Sequence, residues 1–183
     1  MNDLTTLLDA ARQGDGSAIN ELFAAMYPEL HKLAHARLRH SEQITLLDTT
    51  SLVHESYLRF LKAGRLEVND QSHFLAYAAR VMRSVIVDLV RQRRADRRGG
   101  GEVHVTLNTD IAESVHGSED EVMQVNDALE DLAQVDVRLV RVVEMRYFAG
   151  LSEQDIAASL GVTERTVRRD WEKARLLLRV ALQ

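Results

Sequence analysis

Apolar residues recur at spacings of three and four along most of the chain, and this periodicity constrains the fold more than any other feature. It runs through residues 4–39, 52–60, 74–89 and 122–132. Such spacing places apolar side chains on one face of an α-helix. The 183 residues contain one proline, Pro28, which we expect to kink or interrupt its helix. The sequence therefore predicts an all-α fold and argues against a β-sandwich or barrel.

The periodic segments fall into two groups separated by an aperiodic one. Residues 95–118 contain three consecutive glycines and scattered polar residues, with no helical period. This composition predicts a flexible linker. The residues from Ser118 to Glu121 fit a capping box, so we expect a new helix to begin there. The chain is therefore predicted to form two small helical domains, residues 1–94 and 119–183, joined by a flexible linker over 95–118.

Composition excludes several classes of protein. The chain has no cysteine, so it has neither a disulfide framework nor a zinc-thiolate site. His31 and His35 have a spacing that can ligate metal, but no third ligand is evident, and we expect no metal and no cofactor. Motifs for phosphate binding or nucleophilic catalysis are absent, which indicates a protein that is not an enzyme. No apolar run reaches about 18 residues, so we expect a cytoplasmic protein without a membrane segment.

The net charge of -5 conceals a strong segregation of charge along the chain. Residues 80–100 hold seven arginines and two aspartates, whereas residues 101–136 hold ten acidic residues and no lysine or arginine. Residues 164–179 hold six basic and three acidic residues. Two basic segments on either side of an acidic one predict a chain that contacts a polyanion at two places.

Residues 151–171 have the pattern of a helix-turn-helix. Ser152 and Thr163 are placed to cap two short helices, and Gly161 permits the tight turn between them. The start of the second helix is basic, as in helices that enter the major groove of DNA. The predicted DNA-binding residues there are Thr163, Glu164, Arg165, Thr166, Arg168, Arg169 and Lys173. The alternative is a helical hairpin with a solvated basic face.

A second basic face is predicted on the long helix at about residues 73–94. Arg80, Arg83, Arg91 and Arg94 are spaced to lie opposite its apolar side, and a polar loop over 62–72 precedes it. Arginines on a helix surface are often simply solvated. Together with a second DNA-reading helix, however, this face favours a track for a phosphate backbone or a single strand.

Two motifs resemble those of a known family. The sequence DTTSLVHESYLR over 48–59 and the sequence RYFAGLSEQDIA over 146–157 resemble segments of sigma-70-type sigma factors of the extracytoplasmic-function (ECF) subfamily. The resemblance covers nearly the whole chain, with residues 1–94 similar to region 2 and residues 119–183 similar to region 4. It implies a protein that binds the RNA polymerase core and directs promoter-specific transcription initiation.

The resemblance also implies roles for individual residues. The surface that docks on the clamp helices of the polymerase beta-prime subunit would include Asp48, Leu52, Val53, Glu55 and Arg59. The promoter -10 element would be read by Asn69, Asp70 and Gln71 of the loop, with Arg80, Arg83, Arg91 and Arg94 of the following helix. The basic helix of region 4 would read the -35 element.

The chain departs from the family pattern in two places. Where relatives have acidic residues in the docking segment, this chain has hydroxyl residues. Phosphorylation would restore the missing charge, so we expect an activating phosphate on Thr50, with Ser51 and then Thr49 as the next candidates. The alternative is that these hydroxyls cap their helix. Asp170 and Trp171 replace the usual Arg and Leu, and Asp170 is expected to pair with Arg169 or Lys173.

These departures are similar to the branch of the subfamily that is linked to Ser/Thr kinases. A Ser/Thr protein kinase is therefore the expected activating partner, in place of an anti-sigma factor. The alternative function is a stand-alone helix-turn-helix transcriptional regulator. A response regulator would need a receiver of alternating strands and helices, and residues 1–94 predict helices only. A regulatory protein that had lost DNA binding would lack the two basic faces.

Overall fold

The computed structural model describes residues 3–38, 47–98 and 109–183, with the side chains of 109–118 left out. These residues form helices, turns and loops without a β-strand, which confirms the predicted all-α fold. The first half contains α1 (Leu4–Arg12), α2 (Gly16–Leu38), α3 (Thr49–Ala63) and α4 (Gln71–Arg98). The second half contains α5 (Thr109–Val135), α6 (Val137–Val143), a π-helical turn (Glu144–Phe148), α7 (Glu153–Leu160) and α8 (Glu164–Ala181).

The first half packs α1 to α4 around an apolar core with an aromatic centre. The rings of Phe23 and Phe60 meet edge to face with centroids 4.8 Å apart, and Phe74 lies 5.6 Å from Phe60. Both Phe60 and Phe74 are fully buried. Edge-to-face packing of this kind adds to the stabilisation from burial alone. The core thereby fixes α3 and α4, the two helices that carry most of the predicted functional residues of this half.

Helix α2 continues through Pro28, so the expected interruption is wrong, and the alternative of a kink stays a prediction. A proline inside a helix removes one backbone hydrogen bond and costs about 3 kcal/mol. Met26 and Leu30, on either side of it, are both buried in the core. We infer that burial of this apolar face on both sides of Pro28 offsets the local cost.

The expected linker differs from the structure at both ends. Helix α4 extends to Arg98, and α5 begins at Thr109, so much of 95–118 is helical. The capping box at Ser118 to Glu121 is wrong, because this segment lies inside α5. Glu119 is buried against arginines of α4, a long-range contact that sequence periodicity does not reveal. The glycines at 99–101 lie outside the described residues, and the flexible linker and the domain division remain predictions.

The two halves contact each other through α4. Val122 of α5 and Phe148 of the π-helical turn pack against the core of the first half. Ala76 of α4 is buried in the same cluster as Ile156 and Val167 of the helix-turn-helix. Helix α4 therefore contributes to two apolar clusters and contacts the helix-turn-helix directly.

Candidate nucleic-acid interface

The helix-turn-helix has the local geometry that its sequence predicts. Ser152 Oγ accepts a hydrogen bond from the backbone N–H of Asp155 at 3.1 Å, and Thr163 Oγ1 accepts one from Thr166 at 3.2 Å. Gly161 ends α7 with φ of +65°, in the left-handed region that favours glycine. The two caps and the turn fix where α7 ends and where α8 begins.

Apolar packing determines which face of α8 points outward. Val167 and Ala174 are buried, with Ile156 and Ala157 of α7 and Met145 of the π-helical turn also inside. The predicted DNA-binding residues Arg165, Arg169 and Lys173 are exposed, and so is Glu164. Thr163 is the helix cap, and its hydroxyl lies 3.0 Å from that of half-buried Thr166. The N-terminal half of α8 therefore presents a basic outer face.

Arg168 differs from its neighbours because a carboxylate holds it. Its Nε and Nη2 donate to Oε2 of Glu153 at 3.1 and 2.9 Å. Glu153 also accepts a hydrogen bond from Arg146 at 2.7 Å. The bonds from Arg168 first, and then from Arg146, lower the pKa of Glu153 below its ordinary value. Sequence analysis missed this role of Glu153, for which its position in the first turn of α7 gives no signal.

Asp170 has a closer partner than the ones expected from sequence. It accepts hydrogen bonds from Nε and Nη2 of Arg138 on α6, at 2.7 and 3.4 Å. Arg169 Nε is 3.8 Å away, and Asp170 is nearly fully buried against the rest of the half-domain. The expected pairing with Arg169 is therefore present as the longer of two contacts, and Arg138 is a closer partner that the sequence did not predict. The side chain points inward toward α6, whereas Arg169 and Lys173 are on the exposed face.

The four arginines predicted on α4 fall into two pairs. Arg83 donates to Oδ1 of Asn126 at 2.8 Å and to Oε1 of Glu144 at 3.1 Å, and Arg94 pairs with Asp120. Arg80 is exposed, with its guanidinium 5.2 Å from the centre of the Tyr77 ring. Arg91 is half exposed and lies 3.9 Å from both Asp88 and Glu130. Arg80 and Arg91 are therefore exposed, whereas contacts with the second half of the chain cover most of Arg83 and Arg94; the second half also reaches Arg91 through Glu130.

The loop before α4 is anchored more firmly than its polar sequence indicates. Leu66 and Val68 are fully buried. Asp70 caps α4, since its Oδ1 accepts from the backbone N–H of His73 at 2.7 Å. Asn69 and Gln71 are exposed, Gln71 as the first residue of α4. Asn69 and Gln71 therefore present the accessible polar side chains among the three predicted loop residues.

Comparison with protein families agrees with this arrangement of two basic helices. The family model described as "ECF sigma factor" matches residues 1–183. The chain belongs to the ECF sigma factor family. A search among curated proteins found no match. Sigma factors of this family are not enzymes, and they direct transcription initiation with the RNA polymerase core and promoter DNA as partners. The alternative of a stand-alone regulator is not favoured.

The predicted polymerase-docking residues of the sigma factor divide between its surface and its core. Leu52 and Val53 are buried, so they stabilise the core and do not form a contact surface. The expectation that the side chains of Leu52 and Val53 contact the polymerase is therefore wrong, because they lie on the face of α3 that packs into the core of the first half. Asp48 and Glu55 are exposed. Arg59 donates to Ser84 at 2.8 Å and to Asp88 at 2.7 Å, which ties α3 to α4.

The hydroxyl residues of the sigma factor do not provide the cap of α3. Asp48 Oδ1 accepts from the backbone N–H of Ser51 at 2.8 Å, so Asp48 is the N-cap. This backbone bond is the main cause that lowers the pKa of Asp48 below its ordinary value. Thr50 is exposed, and Thr49 and Ser51 are half-buried. The alternative in which the hydroxyls cap the helix is therefore wrong.

Within residues 3–38, 47–98 and 119–183, no three His, Asp or Glu side chains are grouped so that they could hold a metal ion. His31 is instead beside Tyr27, with ring centroids 5.9 Å apart. None of the helices in those ranges is both long and apolar enough to cross a membrane.

Proposed function

We propose that this ECF sigma factor reads the promoter -35 element with the exposed basic face of α8. The observation that carries the proposal is the capped helix-turn-helix that holds Arg165, Arg168 and Arg169 at the outer start of α8. Guanidinium groups in this position reach base edges and phosphates when a helix enters the major groove. Lys173, one turn further on, extends the basic face along the groove.

The -35 proposal is tested by DNA affinity measured against salt concentration. Arg165→Ala and Arg168→Ala are each compared with Arg12→Ala, an exposed arginine of α1 in the other half. Loss of a phosphate contact weakens binding to promoter and scrambled DNA equally and lowers the salt slope by about one. Loss of a base contact weakens promoter binding alone. Unchanged affinities for both DNAs would remove α8 from the interface.

We also propose that the first half contacts the -10 element. Arg80 and Arg91 are the exposed members of the four arginines predicted on α4, and Asn69 and Gln71 are exposed polar residues at the start of this helix. An unstacked base is read through hydrogen bonds to its edge, which amide side chains supply. Asp70 acts mainly by capping α4 and so fixing the loop.

Transcription from a premelted -10 bubble tests this assignment. We expect Asn69→Ala to reduce transcription from both the duplex and the bubble template, because base reading is needed on either. Arg80→Ala is expected to reduce transcription from both templates, because a contact with a DNA phosphate is lost. Arg12→Ala serves as the matched arginine control. Loop variants with full activity on both templates would exclude base reading by Asn69.

Polymerase docking is proposed for the exposed side of α3. Asp48 and Glu55 present negative charge there, and complementary charge steers protein association. We infer that this side meets the clamp helices of the beta-prime subunit. Glu55→Lys should reduce co-elution with core polymerase in gel filtration, whereas Asp9→Lys, which makes the same charge change on α1, should not. Equal co-elution of the two variants would place the docking surface elsewhere, and a stand-alone regulator would not co-elute at all.

We propose further that phosphorylation of Thr50 by a Ser/Thr protein kinase activates this docking surface. Thr50 is exposed in the first turn of α3, and the cap of this helix is supplied by Asp48. A phosphate adds about -1.5 to -2 charges and three acceptor oxygens for arginines of a partner. Negative charge near a helix N-terminus is favoured by the helix dipole. The modified residue therefore strengthens the acidic surface without loss of the existing cap.

The phosphorylation proposal is tested by core-polymerase affinity and promoter activity, with and without the cognate kinase. The kinase should activate the wild type and leave Thr50→Ala inactive, whereas Thr50→Glu should be partly active without it. Ser51→Ala and Thr49→Ala, at the neighbouring positions, are the controls, and the kinase should still activate both. Full activity of the unmodified wild type and of Thr50→Ala alike would overturn the switch.

A further inference from the structure

We propose that the acidic side of α5 occupies part of the arginine face of α4 in the free protein and competes with promoter DNA for it. The contact, here called the clasp, joins Arg83, Arg94 and Arg97 of α4 to Glu119, Asp120 and Asn126 of α5 and to Glu144. The inference rests on the proposed role of α4 at the -10 element. It adds an internal competitor for Arg83 and Arg94, the two arginines predicted at the -10 element that the clasp engages.

The clasp contains the most buried acidic side chain among the described residues of the ion pairs. Glu119 is 1% exposed and pairs with both Arg97 and Arg94, the latter at 3.7 Å. Arg94 also pairs with Asp120. Burial of a carboxylate is tolerated where charged hydrogen-bond donors surround it. Two arginines of α4 therefore enclose Glu119 at one end of the clasp.

Arg83 forms the other end of the clasp. Its two terminal nitrogens donate to Asn126 Oδ1 at 2.8 Å and to Glu144 Oε1 at 3.1 Å. The Arg83 side chain is 19% exposed. A guanidinium binds phosphate oxygens through the same N–H groups that bind carboxylate oxygens. The two partners therefore occupy N–H groups of Arg83 that a DNA phosphate would otherwise bind.

Charge along the chain agrees with this competition. The segment that carries the arginines, residues 80–100, is strongly basic, and residues 101–136 hold ten acidic residues without a lysine or arginine. An acidic surface of this kind presents to α4 the same sign of charge and the same acceptors as a DNA backbone. The acidic segment therefore has a specific partner within the chain.

The clasp also has features of a contact that can open. Arg83 Nε is buried, and the described residues give it no hydrogen-bond partner. A buried donor without a partner carries an energetic penalty in the closed form. Asp120 is 65% exposed, so its pairing with Arg94 is screened by salt. DNA phosphates that satisfy these arginines would therefore shift the equilibrium toward an open form.

The consequence is a free protein with reduced affinity for DNA. When only a fraction of the molecules is open, the apparent dissociation constant rises by the inverse of that fraction. Any partner that binds the open form would raise DNA affinity by the same linkage.

DNA affinity of clasp variants tests the proposal, with a fluorescein-labelled single-stranded oligonucleotide as the probe. Asp120→Asn and the double variant Glu119→Gln with Asp120→Asn should each bind more tightly than wild type, the double variant by about tenfold. The control, Asp3→Asn with Asp9→Asn, removes two exposed charges, one just before α1 and one within it. An equal gain in the control would show a general charge effect and overturn the clasp.

A second measurement reports opening directly. Because the chain contains no cysteine, Lys32→Cys and Ala181→Cys place one dye on each half of the protein. Energy transfer between the dyes should change in the double clasp variant and on addition of the oligonucleotide. Unchanged transfer under both conditions would overturn the proposal.

Arg80→Ala separates failure of the clasp from failure of the proposed -10 function, since Arg80 lies on α4 outside the clasp. If Arg80→Ala weakens oligonucleotide binding and the clasp variants do not strengthen it, the competition is refuted and the role of α4 stands. If neither substitution changes binding, the role of α4 at DNA fails, and the competition fails with it.

Discussion

Arg138 Nε donates a hydrogen bond to Asp170 Oδ2 at 2.7 Å and so joins α6 to α8. The Asp170 side chain is 4% exposed, whereas that of Arg138 is 44% exposed. This bond, with its Coulombic attraction, raises the pKa of Arg138. Because Asp170 follows directly after Arg168 and Arg169, the pair fixes the rotation of the helix turn that carries both basic residues.

Arg138→Ala should lower the Tm, because it leaves the buried carboxylate of Asp170 without its main cationic partner. It should also weaken promoter binding although Arg138 is on α6. Arg175→Ala is the control, since its partner Glu172 is 3.7 Å away and both side chains are exposed. Thermal melts followed by circular dichroism give the comparison. Equal Tm values for the two variants would show that the pair does not stabilise α8.

Because Leu52 is buried, its substitution should destabilise the protein, whereas substitution of the exposed Glu55 on the same helix should not. Leu52→Ala should lower the free energy of unfolding by about 2–5 kcal/mol, as expected for a leucine in a packed core. Glu55→Ala, at an exposed position of the same helix, should change it by no more than about 0.5 kcal/mol. Urea denaturation measures both values. Similar small losses would return Leu52 to the predicted docking surface.

Glu153 is predicted to position Arg168 on the outer face of α8. Glu153→Gln removes the charge that holds the guanidinium, so Arg168 gains rotamer freedom and contributes less to base discrimination. We expect a lower ratio of promoter to scrambled DNA affinity, with little change in Tm. Glu172→Gln removes an exposed charge from α8 outside the predicted DNA-binding residues and controls for net charge. An unchanged ratio for Glu153→Gln would exclude the positioning role.

Because Asp48 caps α3, the stability of the protein should depend on pH in the acidic range. The pKa of Asp48 is lower in the folded protein than its ordinary value of about 3.9, so folding favours the charged carboxylate. Its contribution is present above that ordinary value and is lost as pH falls through the lower folded value. The Tm advantage of wild type over Asp48→Asn, which caps without titrating, should shrink below about pH 4. An advantage independent of pH would contradict this linkage.

Local signals in the sequence predicted much of this structure. The caps at Ser152 and Thr163 and the turn at Gly161 depend on residues within three positions of each other, so the helix-turn-helix could be read directly. The third helix likewise begins after Asp48 and ends at Gly64, which has φ of +70°. These elements are determined by short-range hydrogen bonds and by the spacing of apolar residues.

Long-range partners could not be predicted in this way. Asp170 and Arg138 are 32 positions apart, and Arg83 and Glu144 are 61 apart. Neither helical period nor capping preference relates such residues. Glu119 looked like part of a helix start because its local sequence fits one, whereas its burial depends on arginines of another helix. Contacts between helices, and not local sequence, therefore determine the burial of Glu119 in α5 and the exposure of the arginines of α4.

The most direct test of the central claim is transcription in vitro by core RNA polymerase on genomic DNA of the source bacterium, with the RNA 5′ ends sequenced. With the protein added, and with the kinase present, we expect initiation at a discrete set of sites that share two upstream elements. The helix-turn-helix variant Arg168→Ala should reduce the amount of RNA that starts at these sites. Initiation no different from that of core polymerase alone would contradict the assignment of this chain as a promoter-specificity factor.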